Sequence, residues 1–306
     1  MPNYNLAPYL PEAIESALKQ SYTDFEFIII DNCSTDNSRD IIQRYAESDP
    51  RIRFSVNDHN VGMVNNLNLC LQHAKGDYIK YLLSDDLFAS PKALEKMVSV
   101  LDANKDIALV ATARNVIDDR SVIRQVLSEY KGSTCYVGTD IIQECLLEQK
   151  NKIGEPSVVL FRKKHADRGF DSRYRQAVDL EMWFYVLEQG NFAYLDEPLC
   201  SFRSHPKQQT HVNISQRVVS DEAFKLLEDY ANKPYVDLSK FKREYMLYVP
   251  VYAVWKQYKK KQISRQEALS KIKKHYTVFK FILFYPVFKA CKFIKSIIRP
   301  PKRIKK

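Results

Sequence analysis

Short apolar runs and amphipathic stretches alternate along the first 113 residues of the chain. The apolar runs are rich in β-branched and aromatic residues and predict strands at 25–30, 52–56, 78–83 and 107–113. Between them, apolar residues at helical spacing predict helices at 8–20, about 36–47, 63–74 and 91–103, the last with Ser90 as N-cap and Pro91 in its first turn. This alternation is typical of an α/β domain with a mostly parallel sheet flanked by helices.

The pattern is less regular between residues 114 and 212. It predicts a hairpin near 114–127, a helix at 139–148, a strand at 157–161 and a helix at 178–190 that Gly190 closes as a C-cap. The rest of the chain is mostly helical, with helices predicted at 213–231, about 238–260 and 264–275. We therefore expect a sheet domain over residues 1–212 and a helical C-terminal region over residues 213–306.

Acidic residues directly follow two of the predicted strands. Asp31 ends the first of these strands, and the adjacent pair Asp85 and Asp86 follows the strand at 78–83. Ligands bind at the carboxyl ends of the strands in parallel sheets. Two neighbouring buried carboxylates repel each other unless a cation neutralises them, and oxygen ligands suit Mg²⁺ or Mn²⁺. The pair predicts a metal site, with a solvated turn as the alternative.

Four segments in order resemble family 2 inverting glycosyltransferases of the GT-A fold, of the type that assembles bacterial cell-surface polysaccharides. They are "PNYN" at 2–5 and the segments 12–38, 60–86 and 177–210. The resemblance covers roughly residues 2–212. It implies a GT-A domain that transfers a sugar from a nucleotide-diphosphate donor to a saccharide or lipid-linked acceptor.

The resemblance also implies roles for particular residues. Tyr4 and Asp31 would lie at the nucleoside, Asp85 and Asp86 would hold the metal ion on the diphosphate, and Asp179 would be the catalytic base. Arg203 would contact the donor by stabilising the departing diphosphate, and His205 would contact the donor or the metal. Each has a structural alternative: Asp179 as a helix N-terminal acid, Arg203 as the partner of a structural acid, and His205 as a loop residue.

The chain departs from the family pattern at three places. Leu83 stands where the commoner D-x-D-D pattern has its first acid, so the choice between Asp85 and Asp86 as metal ligand stays open. Val178 replaces the glutamate that usually precedes the base. Met1 directly precedes Pro2, so we expect the family's first apolar strand to be missing. A truncated start, another segment in the gap and an impaired protein are the three explanations.

The formal net charge of +10 is concentrated in the last 39 residues. Residues 268–306 contain twelve Lys or Arg and no acid, which leaves 35 basic and 37 acidic residues in the remainder, a net charge of −2. In 287–299 lysines 289, 292 and 295 recur at helical spacing beside bulky apolar residues. We expect an amphipathic helix bound to an anionic membrane surface, with a helix docked on the body as the alternative. No motif for binding nucleic acid accompanies the charge.

The remaining sequence features predict the compartment and limit the function. No signal peptide or spanning helix is visible, and the six cysteines lack metal-type spacing, so we expect a cytoplasmic protein peripheral to the inner face of the membrane. A nucleotidyltransferase on a similar sheet is one alternative, but the chain has no glycine-rich phosphate loop. A degenerate homologue that acts as a membrane or assembly partner is the other.

Overall fold

The computed structural model describes residues 1–205, 208, 218–277, 280, 281, 283, 286, 303 and 304. These residues divide into two compact units. The first contains Met1–Gly138 and Ile153–Gln208, and the second contains Thr139–Lys152 and most of the helical residues after Gln209. In the described part of the chain, no helix is both long and apolar enough to cross a lipid bilayer.

The helices and strands follow the predicted alternation closely. The helices are α1 Leu10–Leu18, α2 Ser38–Ser48, α3 Met63–His73, α4 Ala93–Ala103, α5 Gly138–Glu148, α6 Val178–Leu187, α7 Val218–Tyr230, α8 Lys240–Lys259 and α9 Arg265–His275. The strands are β1 Pro2–Asn3, β2 Phe27–Asp31, β3 Ile52–Val56, β4 Tyr78–Lys80, β5 Leu87–Phe88, β6 Ile107–Ile117, β7 Ile123–Leu127, β8 Thr134–Tyr136, β9 Val159–Arg162, β10 Asn191–Arg203 and β11 Arg303–Ile304.

Two sheets form the first unit. β1, β2 and β3 make a parallel three-stranded sheet in the order β1-β2-β3. All five residues of β2 are buried, because this central strand is covered by helices, and its apolar side chains pack with those of α1 and α2. This half of the unit has the parallel α/β architecture that the sequence predicts.

The second sheet is mixed rather than mostly parallel. Six of its strands lie side by side in the order β11-β8-β10-β6-β9-β4. Within this order, β6 and β10 form a long parallel pair. β9 runs antiparallel to both β4 and β6, and β7 returns beside β6 as the predicted hairpin. Because β9 separates β4 from β6 and opposes both, β4, β6 and β10 point in one direction and their carboxyl ends lie along one edge.

A cavity of about 490 Å³ lies between the two sheets, where β2 and β4 approach each other. Its lining includes Met1, Ile28, Tyr78 and Leu82. In the part of the chain that the structure describes, β4 pairs with β9 alone, and β1 covers only the last two residues of β2. The first strand is thus two residues long in this structure.

Two predicted helix ends differ from the observed ones. The N-cap of α4 is Lys92 and not Ser90, because Ser90 and Pro91 form a turn in which the Ala93 amide donates to the Ser90 carbonyl oxygen. The C-cap of α6 is Glu188 rather than Gly190. Gly190 is needed for another reason: a Cβ there would lie 2.8 Å from Cβ of Ala108 and 2.9 Å from the Asp106 carbonyl oxygen. The glycine therefore permits the close approach of the chain to β6.

The second unit has its own apolar core. Tyr248, Val251 and Val254 of α8 pack with Ile272 of α9 and other buried residues in one cluster. Tyr276 and Phe281 belong to the same cluster, so the beginning of the basic tail packs within the helical unit. Lysines 289, 292 and 295, which carry the membrane prediction, lie outside the described residues, as does the predicted boundary at residue 212.

Candidate active site

The candidate site lies along the edge where β4, β6 and β10 end. Asp85 and Asp86 follow β4, Asp118 follows β6, and Arg203 ends β10. The Ser84 hydroxyl donates to the Pro2 carbonyl oxygen of β1 over 2.9 Å, which joins the end of the first sheet to the acidic turn. Residues that are far apart in sequence therefore meet at one edge, as expected for ligand sites of α/β sheets.

The loop after β2 is fastened to the segment 3–7. Asp31 is fully buried and accepts hydrogen bonds from Asn3 Nδ2 at 2.7 Å, from the Ser34 amide at 2.8 Å and from the Ser34 hydroxyl at 2.5 Å. The Asn5 side-chain oxygen accepts from the Thr35 amide at 2.8 Å. The segment around Tyr4 and the loop that follows Asp31 are thus joined into one unit by hydrogen bonds.

Asp31 is enclosed by protein. Its carboxylate has no exposed surface, and its oxygens accept from Asn3 and Ser34, with Arg39 Nε at 3.4 Å, so its contact with a nucleoside stays a prediction. Tyr4, by contrast, is 44% exposed at the end of β1. The aromatic ring is accessible to a ligand, as the sequence expectation requires.

The two acids of the turn after β4 have different surroundings. Asp85 Oδ2 lies 3.0 Å from His205 Nε2, and both side chains are buried apart from a small exposed fraction of Asp85. Asp86 is fully buried, and its Oδ1 accepts from the Arg203 amide at 2.9 Å. Burial first, and the neighbouring Asp85 second, raise the pKa of Asp86 well above its ordinary value. The pair therefore favours an added positive charge.

The side-chain oxygen and nitrogen atoms at this turn fit a small divalent cation in part. Asp86 Oδ2 is buried without a hydrogen-bond partner among the described residues, and Asp85 and His205 offer an oxygen and a nitrogen side by side. No group of three or more His, Cys, Asp or Glu side chains arranged for a metal occurs in the described ranges. Mg²⁺ and Mn²⁺ sites at phosphates use one or two protein ligands together with substrate oxygens and water. The residues present could therefore supply one or two ligands to such a cation.

Arg203 is buried, and its guanidinium group donates hydrogen bonds to other residues of this chain. Its Nε donates to the Asp85 carbonyl oxygen at 2.7 Å, and Nη1 donates to the Asp118 carbonyl oxygen at 2.9 Å and the Ser121 hydroxyl at 3.0 Å. Nη2 donates to Glu12 at 2.8 Å. The side chain has no exposed surface, and its contact with a diphosphate stays a prediction. The guanidinium holds the acidic turn, the β6–β7 turn and α1 together.

Asp179 lies in the first turn of α6 and is partly exposed. The segment 154–157 connects this helix to the acidic turn. Trp183, one helical turn after Asp179, donates from Nε1 to the Gly154 carbonyl oxygen at 2.9 Å, and the Leu83 amide donates to the Ser157 hydroxyl at 3.0 Å. The helix that carries the predicted base is therefore tied to the predicted metal acids through a short segment.

Sequence reasoning missed several residues that build the site. Glu12 is separated from Arg203 by 191 positions, and Asn3 and Ser157 carry no charge that would mark them. The signal that was available is the spacing in "PNYN", where two asparagines flank Tyr4 and both bind the loop after β2. No sequence pattern indicated Glu12, because only folding brings α1 beside the end of β10.

The comparison with known proteins agrees with this geometry. The model of the glycosyl transferase family 2 matches residues 1–170, more than half of the chain, which therefore belongs to this family. TuaG of Bacillus subtilis, a putative teichuronic acid biosynthesis glycosyltransferase, is 39% identical over 210 residues, which cover 66% of this chain and 76% of TuaG. This chain spans 65% of the length of an uncharacterized glycosyltransferase of Haemophilus influenzae. It spans only 19% of the length of the chondroitin synthase of Pasteurella multocida.

Two further similarities are informative. WfgD of Escherichia coli, named as a UDP-Glc:alpha-D-GlcNAc-diphosphoundecaprenol beta-1,3-glucosyltransferase, is 26% identical over 228 residues, or 74% of this chain and 81% of WfgD. The structure of S. aureus TarS residues 1–349 in complex with UDP-GlcNAc superposes with a TM-score of 0.58 at 17% identity, covering 82% of this chain and 79% of TarS 1–349. This structural likeness shows the GT-A fold.

The buried position of Arg203 predicts a large effect on stability. Arg203→Lys keeps the charge but loses the fork that reaches Asp85, Asp118 and Glu12 together, so we expect the free energy of unfolding to fall by about 2–4 kcal/mol. Urea denaturation monitored by circular dichroism measures this change. The exposed Arg120→Lys is the matched control, and equal stability of the two variants would show that the Arg203 network does not hold the turn.

Proposed function

We propose that this chain transfers a sugar from a nucleotide-diphosphate donor to an acceptor hydroxyl with inversion, in a metal-dependent reaction of cell-surface polysaccharide or glycolipid assembly. Membership of glycosyl transferase family 2 and the names of TuaG and WfgD support the reaction and its setting. The observation that carries the proposal is the Asp85–His205 pair beside the buried Asp86 at the carboxyl edge of the sheet.

Each part of the donor has a proposed position along this edge. The exposed ring of Tyr4 would pack against the nucleoside, while Asp31 would hold the surrounding loop in shape. Asp85 and His205 would hold Mg²⁺ or Mn²⁺, which would neutralise the negative charge that develops on the departing diphosphate. Asp86 would add negative charge to the metal site from its buried position. This choice of Asp85 as ligand follows from its contact with His205 and its residual exposure.

Asp179 would act on the acceptor. Inversion needs one displacement at the anomeric carbon, in which the acceptor oxygen attacks opposite the diphosphate. A carboxylate at the start of α6 would take the proton from that hydroxyl as the new bond forms. The partial exposure of Asp179 supports this role.

Membrane association is proposed for the basic tail, at the cytoplasmic face of the membrane. WfgD, by its name, acts on a diphosphoundecaprenol-linked sugar, and a lipid-linked acceptor would place this chain beside a membrane. Lysines 289, 292 and 295 would bind anionic lipid head groups while the neighbouring apolar side chains enter the interface. An acceptor that is a soluble saccharide would not require this tail.

The metal proposal predicts cation-dependent donor binding. In calorimetry with UDP-, GDP- and dTDP-sugars, the wild type is expected to bind one donor about tenfold or more tightly with Mn²⁺ than without it, because the ion offsets charge repulsion between the diphosphate and Asp85. Asp85→Asn should lose this difference, and the exposed Asp40→Asn should keep it. Absence of Mn²⁺-dependent binding to any nucleotide sugar would favour a degenerate, non-catalytic homologue.

The base proposal separates chemistry from binding. Asp179→Asn is expected to lower the rate of sugar transfer by about 10²–10⁴-fold, since the amide cannot accept the proton, while donor affinity stays unchanged. Transfer rates with the donor that calorimetry identifies, and the dissociation constant of that donor, measure the two effects. The control is Asp24→Asn on the exposed surface. Retained turnover in Asp179→Asn would remove this residue from the role.

The tail proposal predicts charge-dependent binding to vesicles. Replacing Lys289, Lys292 and Lys295 with Gln should reduce the partition coefficient on phosphatidylglycerol-containing vesicles about 100-fold, at about 1 kcal/mol for each lysine. This change is preferable to deletion from residue 276, because Tyr276 and Phe281 are part of the helical core. The matched control changes Lys259, Lys260 and Lys261 to Gln. Equal binding of both triple variants would contradict the assignment.

A further inference from the structure

The segment 154–157 lies between the two elements that the proposed reaction brings together. Gly154 is bound to α6 through Trp183. Ser157 is bound to the end of β4 through the Lys80 ammonium group and to the segment after β4 through the Leu83 amide. Gly154 has φ +125°, and a Cβ there would lie 2.3 Å from Cγ2 of Val158, so the segment needs glycine to take this path. The residues between the two anchored ends are Glu155 and Pro156, and Glu155 is the charged one.

Glu155 faces a buried arginine. Arg114, in the interior of β6, is 5% exposed, and its Nε lies 2.7 Å from Glu155 Oε2. On the other side, Arg114 Nη2 lies 3.7 Å from Glu129 Oε1. The Glu155 side chain is 28% exposed, whereas those of Arg114 and Glu129 are 6% and 7% exposed. Glu155 is thus the member of this cluster that a ligand in the site can reach.

The polar atoms of the cluster differ in their pairing. Arg114 Nε and Glu155 Oε2 form an ion pair at 2.7 Å, whereas Arg114 Nη1 is buried with no hydrogen-bond partner among the described residues. Buried polar groups are nearly always paired in folded proteins, with protein, water or ligand. The buried Nη1 donor beside the partly exposed Glu155 side chain indicates a place for a polar group that can accept from Arg114.

The charge of the cluster selects the kind of ligand. One arginine stands between two glutamates, so the acidic side chains of the cluster outnumber the basic one. A phosphate or uronate would therefore meet an excess of negative charge at this position. A hydroxyl group both donates and accepts, so a pair of sugar hydroxyls can accept from Arg114 and donate to Glu155 at once.

We propose that Glu155 and Arg114 form the subsite that binds hydroxyl groups of a neutral acceptor sugar. The inference rests on the proposed function, because the subsite is assigned to the acceptor of that transfer. Its position follows from the anchoring of segment 154–157 to both α6 and the acidic turn. An acceptor sugar held there would present another hydroxyl between the base at Asp179 and the donor carbon.

The experiment measures donor hydrolysis and transfer separately. UDP release from UDP-glucose or UDP-GlcNAc with Mn²⁺ is followed with water alone and with p-nitrophenyl glucoside, galactoside or N-acetylglucosaminide as acceptor. In the wild type we expect a neutral glycoside to accelerate release more than p-nitrophenyl glucuronide does. In Glu155→Gln we expect kcat/KM for that glycoside to fall about 10- to 100-fold while hydrolysis by water is unchanged, because a charged hydrogen-bond acceptor is lost.

Two further variants test position and specificity. Glu155→Asp keeps the charge but withdraws the carboxylate by one methylene, and it should raise the acceptor KM without changing hydrolysis by water. Glu47→Gln, on the exposed face of α2, should behave as the wild type. Thermal unfolding of each variant shows whether the change in kcat/KM occurs in a folded protein.

The outcomes distinguish the subsite from the reaction itself. Wild-type kcat/KM in Glu155→Gln, an equal loss of hydrolysis and transfer, or a wild-type preference for the glucuronide would each overturn the subsite. So would hydrolysis that no neutral glycoside accelerates. A wild type that neither binds nor hydrolyses any nucleotide sugar would overturn the proposed function, and the subsite would fall with it.

Discussion

The candidate site depends on the burial of one arginine at the end of β10. Arg203 reaches the carbonyl oxygens of Asp85 and Asp118 and the carboxylate of Glu12, and its own amide donates to Asp86. A fully buried guanidinium is stable only when its donors are paired, so each of these contacts also constrains the others. The acidic turn is therefore held by the positive charge of Arg203, which the sequence alone would assign to binding the ligand.

The same edge of the sheet also carries a buried acidic side chain with an oxygen that has no hydrogen-bond partner in the described part of the chain. Asp86 is buried beside Asp85, and its free oxygen together with the raised pKa indicates a place where added positive charge is stabilising. Arg114 repeats this feature, because its Nη1 is buried with no hydrogen-bond partner among the described residues. Polar groups left unpaired inside an otherwise satisfied interior are consistent with a site that is completed by its ligands, as proposed for the cation and for the acceptor sugar.

Predictions from the sequence agree with the structure for features that depend on residues close together in the chain. They agree less well for features that depend on residues far apart in the chain. α2, α3, β3 and the hairpin of β6 and β7 are confirmed to within a few residues, because apolar periodicity and turn residues act locally. Strand β10 was not predicted, since "NFAYLDEPLCSFR" mixes acids and proline with apolar residues and becomes a strand only beside β6. Ser90 and Gly190 were assigned as caps from their types, yet a turn and a close contact with β6 explain them.

The sequence by itself determined the α/β alternation, the family and the positions of the acids at strand ends, because these depend on local pattern and on ordered motifs. Only the tertiary structure decided which acid faces His205, that Asp31 and Arg203 are enclosed by protein, and that Glu155 meets Arg114. The physical reason is that the accessibility and charge environment of a side chain depend on neighbours brought together by folding. Glu12 and Arg203 are 191 positions apart in the chain, and no local pattern records their contact.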